Sequence, residues 1–201
     1  MTPTPEESIR ALCEGGDWKK AATTAVEAYG GELLGFLAAV LRDEHAAGDV
    51  FSQLCEDLWR GLPGFGWRSS FRTWAYTLAR NAAMRYLRAP ERWRQQQVAS
   101  DDLAQVAHQV RTETVRYLRS EVKDKVRQLR DSLDPDDQAL LILRVDRGLP
   151  WDEVAEVMAE EDAPSTPAEK SRRAAALRKR FERVKEQLRQ LAKEQGLLGE
   201  E

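Results

Sequence analysis

The sequence has few of the residues that build metal centres and disulfide frameworks. Among its 201 residues there are two cysteines, Cys13 and Cys55, and two histidines, His45 and His108. Two isolated cysteines cannot form a disulfide framework, and a zinc site would lack ligands. We therefore expect no metal and no structural disulfide.

Long apolar runs and catalytic patterns are also missing. No apolar run approaches the roughly 20 residues that span a bilayer, and the first residues lack the basic start and apolar stretch of a secretory signal. There is no Gly-rich phosphate loop and no nucleophile–base pair, and Cys55 is more simply a packing residue. We expect no membrane insertion, no classical secretion, no enzymatic activity, no cofactor and no small-molecule substrate.

What the sequence does have is charge, in separated blocks. Its net charge is −3. Residues 61–94 hold seven arginines and one glutamate, residues 166–193 hold ten basic and three acidic residues, and 1–59 and 95–165 are acidic. Because polyanion binding needs local positive charge, two basic blocks suggest two nucleic-acid contacts. Two solvated helix faces explain them about equally well.

Apolar residues recur at helical spacing through most of the chain and strand patterns are absent, which predicts an all-α fold. Ser69 or Ser70 is the expected cap of the third helix, and the polar stretch from Pro90 to Gln109 is expected to be a linker. An interruption is expected at Gly30-Gly31. The predicted helices are 18–41, 49–60, 70–88, 115–129, 134–147, 151–158 and 168–195.

The last third of the sequence predicts a short helix, a connection and a long basic helix, the order of a helix-turn-helix module. Asp134 is the expected N-cap of the helix that precedes them, with Pro135 at its first position. Capping explains the carboxylates there more simply than a catalytic or metal cluster.

The long basic helix divides into two faces. Its apolar stripe consists of Leu177, Phe181, Val184, Leu188 and Leu191. Arg172, Lys179 and Arg183 project from the opposite side, with Arg178 and Arg189 beside them. This division suits a DNA-recognition helix, and a coiled-coil seam fits it about as well.

Three segments occur in a specific order. An acidic helix runs from Asp49 to Arg60, and the string SSFRTWAYTLARN covers residues 69–81. The segments 133–144 and 148–155 then begin the C-terminal module. In this order they resemble the extracytoplasmic-function (group IV) sigma factors, the small two-domain initiation subunits of bacterial RNA polymerase.

The resemblance implies two helical domains, and the two isolated cysteines suggest a reducing, cytoplasmic location. Residues 1–89 would dock on core polymerase and would recognise and melt the −10 element. Residues 90–129 would be a partly helical linker, 130–195 the helix-turn-helix domain that reads the −35 element, and 196–201 a tail.

The resemblance also assigns site residues. The loop before the third helix would receive a flipped base of the melted non-template strand. The expected −10 contacts are Trp67, Arg68, Ser69, Ser70, Arg72, Arg80, Asn81 and Arg88. The expected −35 contacts are Arg172, Arg178, Lys179 and Arg183. The expected polymerase contacts are Asp49, Gln53, Glu56 and Asp57. Phe71, Trp74 and Leu78 share a stripe and are expected in the core.

The expected partners are core RNA polymerase, double-stranded promoter DNA, the melted non-template strand and an anti-sigma protein. The chain departs from the family pattern at Ser52, where Gln is usual, at Arg85, where Asp is frequent, and in a longer helix-turn-helix connection. Placing Leu177 and Phe181 at the packing positions is preferred over a register that buries Arg173. The alternative function is a sigma-like interaction protein that titrates polymerase or a regulator without initiating transcription.

Overall fold

The computed structural model describes residues 3–90, 101–118, 124–160 and 166–197, and every regular element within these ranges is helical. The predicted all-α fold class is confirmed. The chain divides into two compact units, residues 1–119 and 120–201.

The first unit contains five described helices and a 3-10 turn at Leu62–Gly64. The helices are α1 (Pro5–Glu14), α2 (Trp18–Leu41), α3 (Glu44–Gly61), α4 (Phe71–Arg88) and α5 (Asp101–Leu118). The first four begin at capping side chains, which accept hydrogen bonds from backbone N–H groups that the helix leaves without partners. These caps are Thr4, Asp17, Asp43 and Ser70.

Helix α2 is the centre of this unit, with α1, α3, α4 and α5 packed around it. Phe36 of α2 and Tyr76 of α4 are fully buried and meet edge to face at 5.4 Å between ring centroids. Burying one large apolar side chain stabilises a fold by about 1.5–3 kcal/mol. The shared core therefore fixes α4 on the unit.

The expected interruption of α2 at Gly30-Gly31 is wrong, because the helix runs unbroken from Trp18 to Leu41. Gly30 is buried where α5 comes close, and a Cβ there would lie 3.1 Å from Cγ1 of Val110. The glycine gives α5 room to approach.

The apolar character of α2 bears on the expectation of no membrane insertion. Among the described residues, α2 is long and apolar enough to cross a membrane by length and composition, and 56% of its apolar window is buried inside the protein. A core helix shows this same combination, so the segment is weak support for membrane insertion.

Part of the predicted linker instead belongs to the first unit. Residues 101–118 form α5, which packs on α2 and α3 and buries Leu103 and Ala107. Val110 and Arg111 of α5 lie against Gly30 of α2 and Gly48 of α3, where the absence of a Cβ leaves room for them. The helix predicted at 115–129 corresponds to the end of α5 and to a separate helix in the second unit, and residues 119–123 lie outside the described residues.

The second unit contains α6 (Asp124–Asp131), α7 (Pro135–Leu141), a π-helical turn at Ile142–Asp146, α8 (Trp151–Val157) and α9 (Pro167–Glu194). The Asp134 side chain caps α7 as predicted, accepting from the backbone N–H of Asp137 at 2.9 Å. Gly148, with φ of 66°, ends the turn after it. The connection between α8 and α9 includes residues 161–165, which lie outside the described residues.

Helix α9 packs inward through its predicted apolar stripe. Leu177, Phe181 and Val184 are buried, and Leu188 and Leu191 are half-buried. The opposite face is exposed along most of its length. The helix therefore has a packed side and a solvent side, as its sequence predicts.

Candidate functional site

The loop between α3 and α4 presents a cluster of aromatic side chains. The Phe65 ring stacks on Trp74 at 4.6 Å and lies 4.9 Å from Trp67, and buried Phe71 contacts both Phe65 and Trp74. Trp67 has a left-handed backbone, with φ of 53°. Such a conformation is costly for a bulky residue and is found at functional sites where the surrounding structure enforces it.

The predicted core stripe of α4 is partly wrong. Phe71 is fully buried, whereas Trp74 and Leu78 are half-buried. Tyr76 is buried instead, next to a row of alanines that lets α4 lie close to its neighbours. These alanines are Ala75, Ala79, Ala82 and Ala83. The partial exposure of Trp74 leaves the aromatic cluster open to solvent.

The start of α4 is held by its own cap and by α1. Ser70 accepts from the backbone N–H of Thr73 at 3.0 Å. The Glu6 carboxylate accepts from the backbone N–H of Phe71 and from the Tyr29 hydroxyl, the latter at 3.3 Å. Burial, together with the nearby Glu6 carboxylate, raises the pKa of Tyr29 to about 12. Ser70, predicted as a DNA contact, therefore has a structural role as a cap.

Arg72 is fixed by a carboxylate of α2. Its Nε and Nη2 donate to the two Glu32 oxygens at 2.7 and 2.8 Å, and its guanidinium lies over the Tyr76 ring. The hydrogen bonds that Arg72 donates to Glu32 raise the pKa of Arg72 above its usual range. A two-pronged pair of this kind fixes the direction of the guanidinium.

The other predicted −10 residues differ widely in exposure. Arg80 is 8% exposed, so in this structure it offers little surface to DNA. Ser69, Asn81 and Trp67 are half-buried, and Arg68 and Arg88 are exposed. The loop and the ends of α4 therefore bring Trp67, Arg68 and Ser69 together and leave Arg88 at the far end of the helix.

Helix α3 carries the predicted polymerase contacts. Asp49 is half-buried. Gln53 Nε2 donates to Asp57 Oδ1 at 2.8 Å, and the second Asp57 oxygen lies 3.2 Å from Nη2 of Arg85 on α4. The departure from the family at Arg85 therefore produces a contact between the two helices.

Glu56 does not present a polar surface in this structure. Its side chain is 1% exposed and its Oε1 lies 2.8 Å from Nη2 of Arg60, one turn later on α3. The resemblance implies that this carboxylate is a polar contact with polymerase, and the alternative is an ordinary exposed helix face. Burial makes it a structural group of the helix here.

Arg111 of α5 lies against α3 at two positions. Its Nη1 donates to Ser52 Oγ at 3.3 Å, and a Cβ added to Gly48 would come within 2.6 Å of its Nη2. Glycine at this position leaves room for the Arg111 guanidinium. The thiol of Cys55 is buried on the same helix, and burial raises its pKa to about 12.

On α9 the predicted −35 residues are exposed. Among the described residues, Arg172, Lys179 and Arg183 make no ion pair. Arg178 lies 5.7 Å above the Trp151 ring of α8, and Arg144 lies 5.0 Å from the same ring. Trp151 therefore orients one of the four predicted contacts.

Several polar contacts attach α9 to its neighbours. Arg180 reaches back to Asp134 at 3.2 Å and also contacts Asp137, at the start of α7. Arg173 donates to the backbone carbonyl of Ala155 at 3.3 Å, and Lys170 pairs with Glu156 at 2.5 Å. Arg173 thus lies near α8, with a carbonyl as its partner.

Sequence reasoning missed four residues that shape these surfaces: Glu6, Arg10, Glu32 and Arg111. Arg10 of α1 lies 5.5 Å from the Trp67 ring. Each acts on a residue at least 40 positions away, and no local pattern indicates such a pairing. Within the described ranges, no group of three or more His, Cys, Asp or Glu residues could hold a metal ion.

Comparison with known proteins finds a family match that covers α3, α4 and the aromatic loop between them. Residues 25–94, from within α2 to just beyond α4, match the family described as sigma-70 region 2. The chain is also similar to the RNA polymerase sigma-H factor of Pseudomonas aeruginosa, with 28% identity over 167 residues that cover 79% of this chain and 84% of the relative. Together these matches show that the chain carries a segment similar to sigma-70 region 2 and that it is similar to an RNA polymerase sigma factor over most of its length.

Proposed function

We propose that this chain is an extracytoplasmic-function sigma factor that docks on core RNA polymerase, reads −35 and −10 elements and helps to melt the start region. The observation that carries the proposal is the match of residues 25–94 to sigma-70 region 2. The order of the C-terminal helices and the exposed basic face of α9 support the −35 assignment. Polymerase supplies the chemistry, and the protein acts in the cytoplasm.

The −10 contact is assigned to the loop and the start of α4. Trp67, Phe65 and Trp74 offer aromatic faces on which unpaired bases stack, and Arg68 offers positive charge to the backbone. Arg72 enters this surface with its direction set by Glu32. Ser69, Arg80, Asn81 and Arg88 remain proposed contacts, with Arg80 the least exposed of them.

The −35 contact is assigned to α9. Arg172, Lys179 and Arg183 project to solvent along one face and are suited to phosphates and guanine edges in the major groove. Ion pairs of Arg180 with the start of α7 and of Lys170 with α8 hold α9 so that this face stays exposed. Residues 130–195 would then form the −35 module and residues 1–89 would include the −10 module.

The polymerase contact is assigned to the acidic part of α3, at Asp49, Gln53 and Asp57. An acidic surface complements a basic one on a partner and speeds association. Asp49→Lys should block assembly with core polymerase, whereas Glu44→Lys in the first turn of the same helix should not. Equal assembly of both variants, measured by native gel shift, contradicts this surface. An anti-sigma protein is the proposed regulator of these contacts.

The first experiment is transcription of fragmented genomic DNA from the source organism by core polymerase with and without this chain, followed by mapping of 5′ ends. New start sites that share spaced −35 and −10 elements support initiation. Polymerase binding without new starts supports the titrating protein. Failure to bind the matching core enzyme contradicts both.

The departure from the family pattern at Ser52 favours the second candidate, a protein that binds polymerase or a regulator without initiating. Arg111 of α5 packs against Gly48 and donates a hydrogen bond to Ser52, and both residues lie on α3, the helix assigned to polymerase docking. The same contact is compatible with initiation if the docking face is the neighbouring one that carries Asp49 and Gln53.

A further inference from the structure

Helix α5 covers one side of α3, the helix assigned to polymerase docking. Arg111 donates from Nη1 to Ser52 Oγ at 3.3 Å, and a Cβ at Gly48 would come within 2.6 Å of its Nη2. Asp49 and Gln53 directly follow these two residues along α3. Because successive helical residues are separated by about 100° and 1.5 Å, a partner that contacts Asp49 or Gln53 also meets the Arg111 guanidinium.

The Arg111 side chain places a positive charge beside this acidic surface. It is half-buried between α5 and α3. Burial raises the pKa of the Cys55 thiol to about 12, and the nearby Arg111 charge opposes that rise. An acidic docking surface attracts basic groups of a partner. Arg111 is a basic group that the chain itself supplies at the same place.

The attachment of α5 to α2 uses few apolar groups. Four residues of α5 recur at spacings of four, three and four, which puts them on one face of the helix. They are Leu103, Ala107, Val110 and Thr114. The first two are buried, Val110 is half-buried, and the Thr114 hydroxyl would lie 3.7 Å from a Cβ on Gly31. This is a small apolar contact for a helix of 18 residues.

Helix α4 is held in the same unit by larger side chains. It buries Phe71 and Tyr76 completely, whereas the ion pair at the start of α5, between Lys19 and Asp102, is exposed. An exposed ion pair adds little to stability. Elements with few buried apolar contacts open at a lower free energy than the core. We therefore expect α5 to detach while the rest of the unit stays folded.

We propose that α5 is an internal competitor of polymerase docking. In its docked position it covers the side of α3 that carries Gly48 and Ser52, with Arg111 in place of a basic group of the partner. Polymerase binds the fraction of chains from which α5 has detached. The apparent affinity for polymerase is then the intrinsic affinity reduced by that fraction. This inference rests on the proposed function and adds a control to its docking surface.

A reversible lock tests the competition. Gly31→Cys and Thr114→Cys, combined with Cys13→Ala and Cys55→Ala, allow α2 and α5 to be joined by oxidation, because a Cβ on Gly31 lies 3.7 Å from the oxygen that the second new sulfur replaces. The oxidised chain should bind core polymerase at least about tenfold more weakly than the same chain after reduction. The double Ala chain without the new cysteines, treated identically, controls for effects of the oxidant on polymerase. Equal affinities of the oxidised and reduced chains overturn the inference.

A releasing variant tests the opposite direction. Val110 Cγ1 would lie 3.1 Å from a Cβ on Gly30, so Val110→Asp places a charge in a close contact and should detach α5. Gln105→Asp adds the same charge on the exposed side of the same helix. Val110→Asp should bind polymerase about fivefold more tightly than the wild-type chain, and Gln105→Asp within about twofold of it. Unchanged or weaker binding by Val110→Asp, with α2 still folded, contradicts the competition.

Hydrogen exchange of the free chain, followed by mass spectrometry, measures detachment without polymerase. Backbone amides of α5 in the wild-type chain should exchange at least about tenfold faster than those of α2, and faster still in Val110→Asp. If the wild-type chain does not bind core polymerase at all, the proposed function fails and this inference fails with it. If the wild-type chain binds, but the lock has no effect or α5 exchanges as slowly as α2, only the inference fails.

Discussion

The two basic regions of this protein look alike in sequence and differ in how the structure uses them. In the first unit, Arg72 is paired with Glu32, Arg85 with Asp57, and Arg80 is 8% exposed. On α9, Arg172 and Lys179 extend into solvent. Basic residues of the first unit thus take part in the fold, whereas Arg172, Lys179 and Arg183 on the outer face of α9 make no ion pair among the described residues.

The largest expected effect is on the α9 face. Replacing Arg172, Lys179 and Arg183 together with Ala should weaken −35 binding by about a hundredfold and lower the salt slope by about three. The free energy of unfolding should change by less than about 0.5 kcal/mol, because these side chains are exposed. Holoenzyme binding to labelled promoter DNA and urea unfolding measure the two quantities.

A second triple variant on the same helix is the matched control. Lys185, Arg189 and Lys193 lie further along α9, where the first two pair with neighbouring glutamates. Their replacement with Ala removes the same charge and should cost much less affinity. Equal losses for the two triple variants contradict a localised −35 face.

The next effect concerns the first unit. Glu32→Gln leaves the half-buried Arg72 without its carboxylate and should lower the free energy of unfolding by about 1–2 kcal/mol. This is below the cost for a fully buried pair, because solvent reaches both side chains. Urea unfolding measures the loss.

Glu186→Gln on α9 is the control for that prediction. Its pair with Arg189 is exposed, and the variant should change stability by less than about 0.5 kcal/mol. If Glu32→Gln is as stable as the wild-type protein, the paired arginines of the first unit do not anchor its fold.

A smaller loss of DNA affinity is expected when the ring that supports Arg178 is removed. Trp151→Leu removes the ring beneath Arg178 and should weaken −35 binding about threefold, the size of one exposed cation–π contact. Trp151→Phe keeps a ring face and should preserve most of the affinity. The affinities of the two variants are compared at a temperature at which both are fully folded. Equal losses of affinity contradict an orienting role for the ring.

The smallest expected effect is a difference in alkaline stability. The pKa values of Tyr29 and Cys55 are both raised to about 12, mainly by burial. Both groups ionise more readily in the unfolded chain. Their contribution to stability is therefore complete below about pH 9 and is lost as the pH rises towards 12.

This pH dependence should be a property of the first unit. In Trp151→Phe all remaining tryptophans lie within residues 1–119, so their fluorescence follows that unit alone. Urea midpoints from fluorescence should fall between pH 8 and pH 10.5, and Cys55→Ala should show a smaller fall. The same fall with and without the Cys55 thiol contradicts its part in this effect.

Local sequence patterns predicted the elements with strong local signals. Ser70 caps α4, Asp134 caps α7, and the α9 stripe at Leu177 and Phe181 packs inward. Capping and helical periodicity act within one or two turns, and a single sequence contains that information. The family match supports the sigma assignment that the string at residues 69–81 indicated.

The arrangement of the site depends on partners that are distant in sequence. Glu32 lies 40 positions before Arg72, and Arg111 lies 59 positions after Ser52. The burial of Glu56 and Arg80 follows from how helices pack around α2, which periodicity alone does not give. The polar stretch 90–109 predicts a linker, yet residues 101–118 form α5, whose Val110 and Arg111 pack at Gly30 and Gly48.

The ion pairs of the first unit have a consequence for how the protein meets DNA. Residues 1–119 contain 15 basic and 15 acidic residues. At distances beyond the Debye length of about 8 Å at physiological salt, this balanced unit exerts little net attraction on a phosphate backbone. It therefore gains little from electrostatic steering, which speeds long-range encounters. Under the proposed function, its arginines would act after contact, and core polymerase that already holds the duplex would deliver the unit to its target.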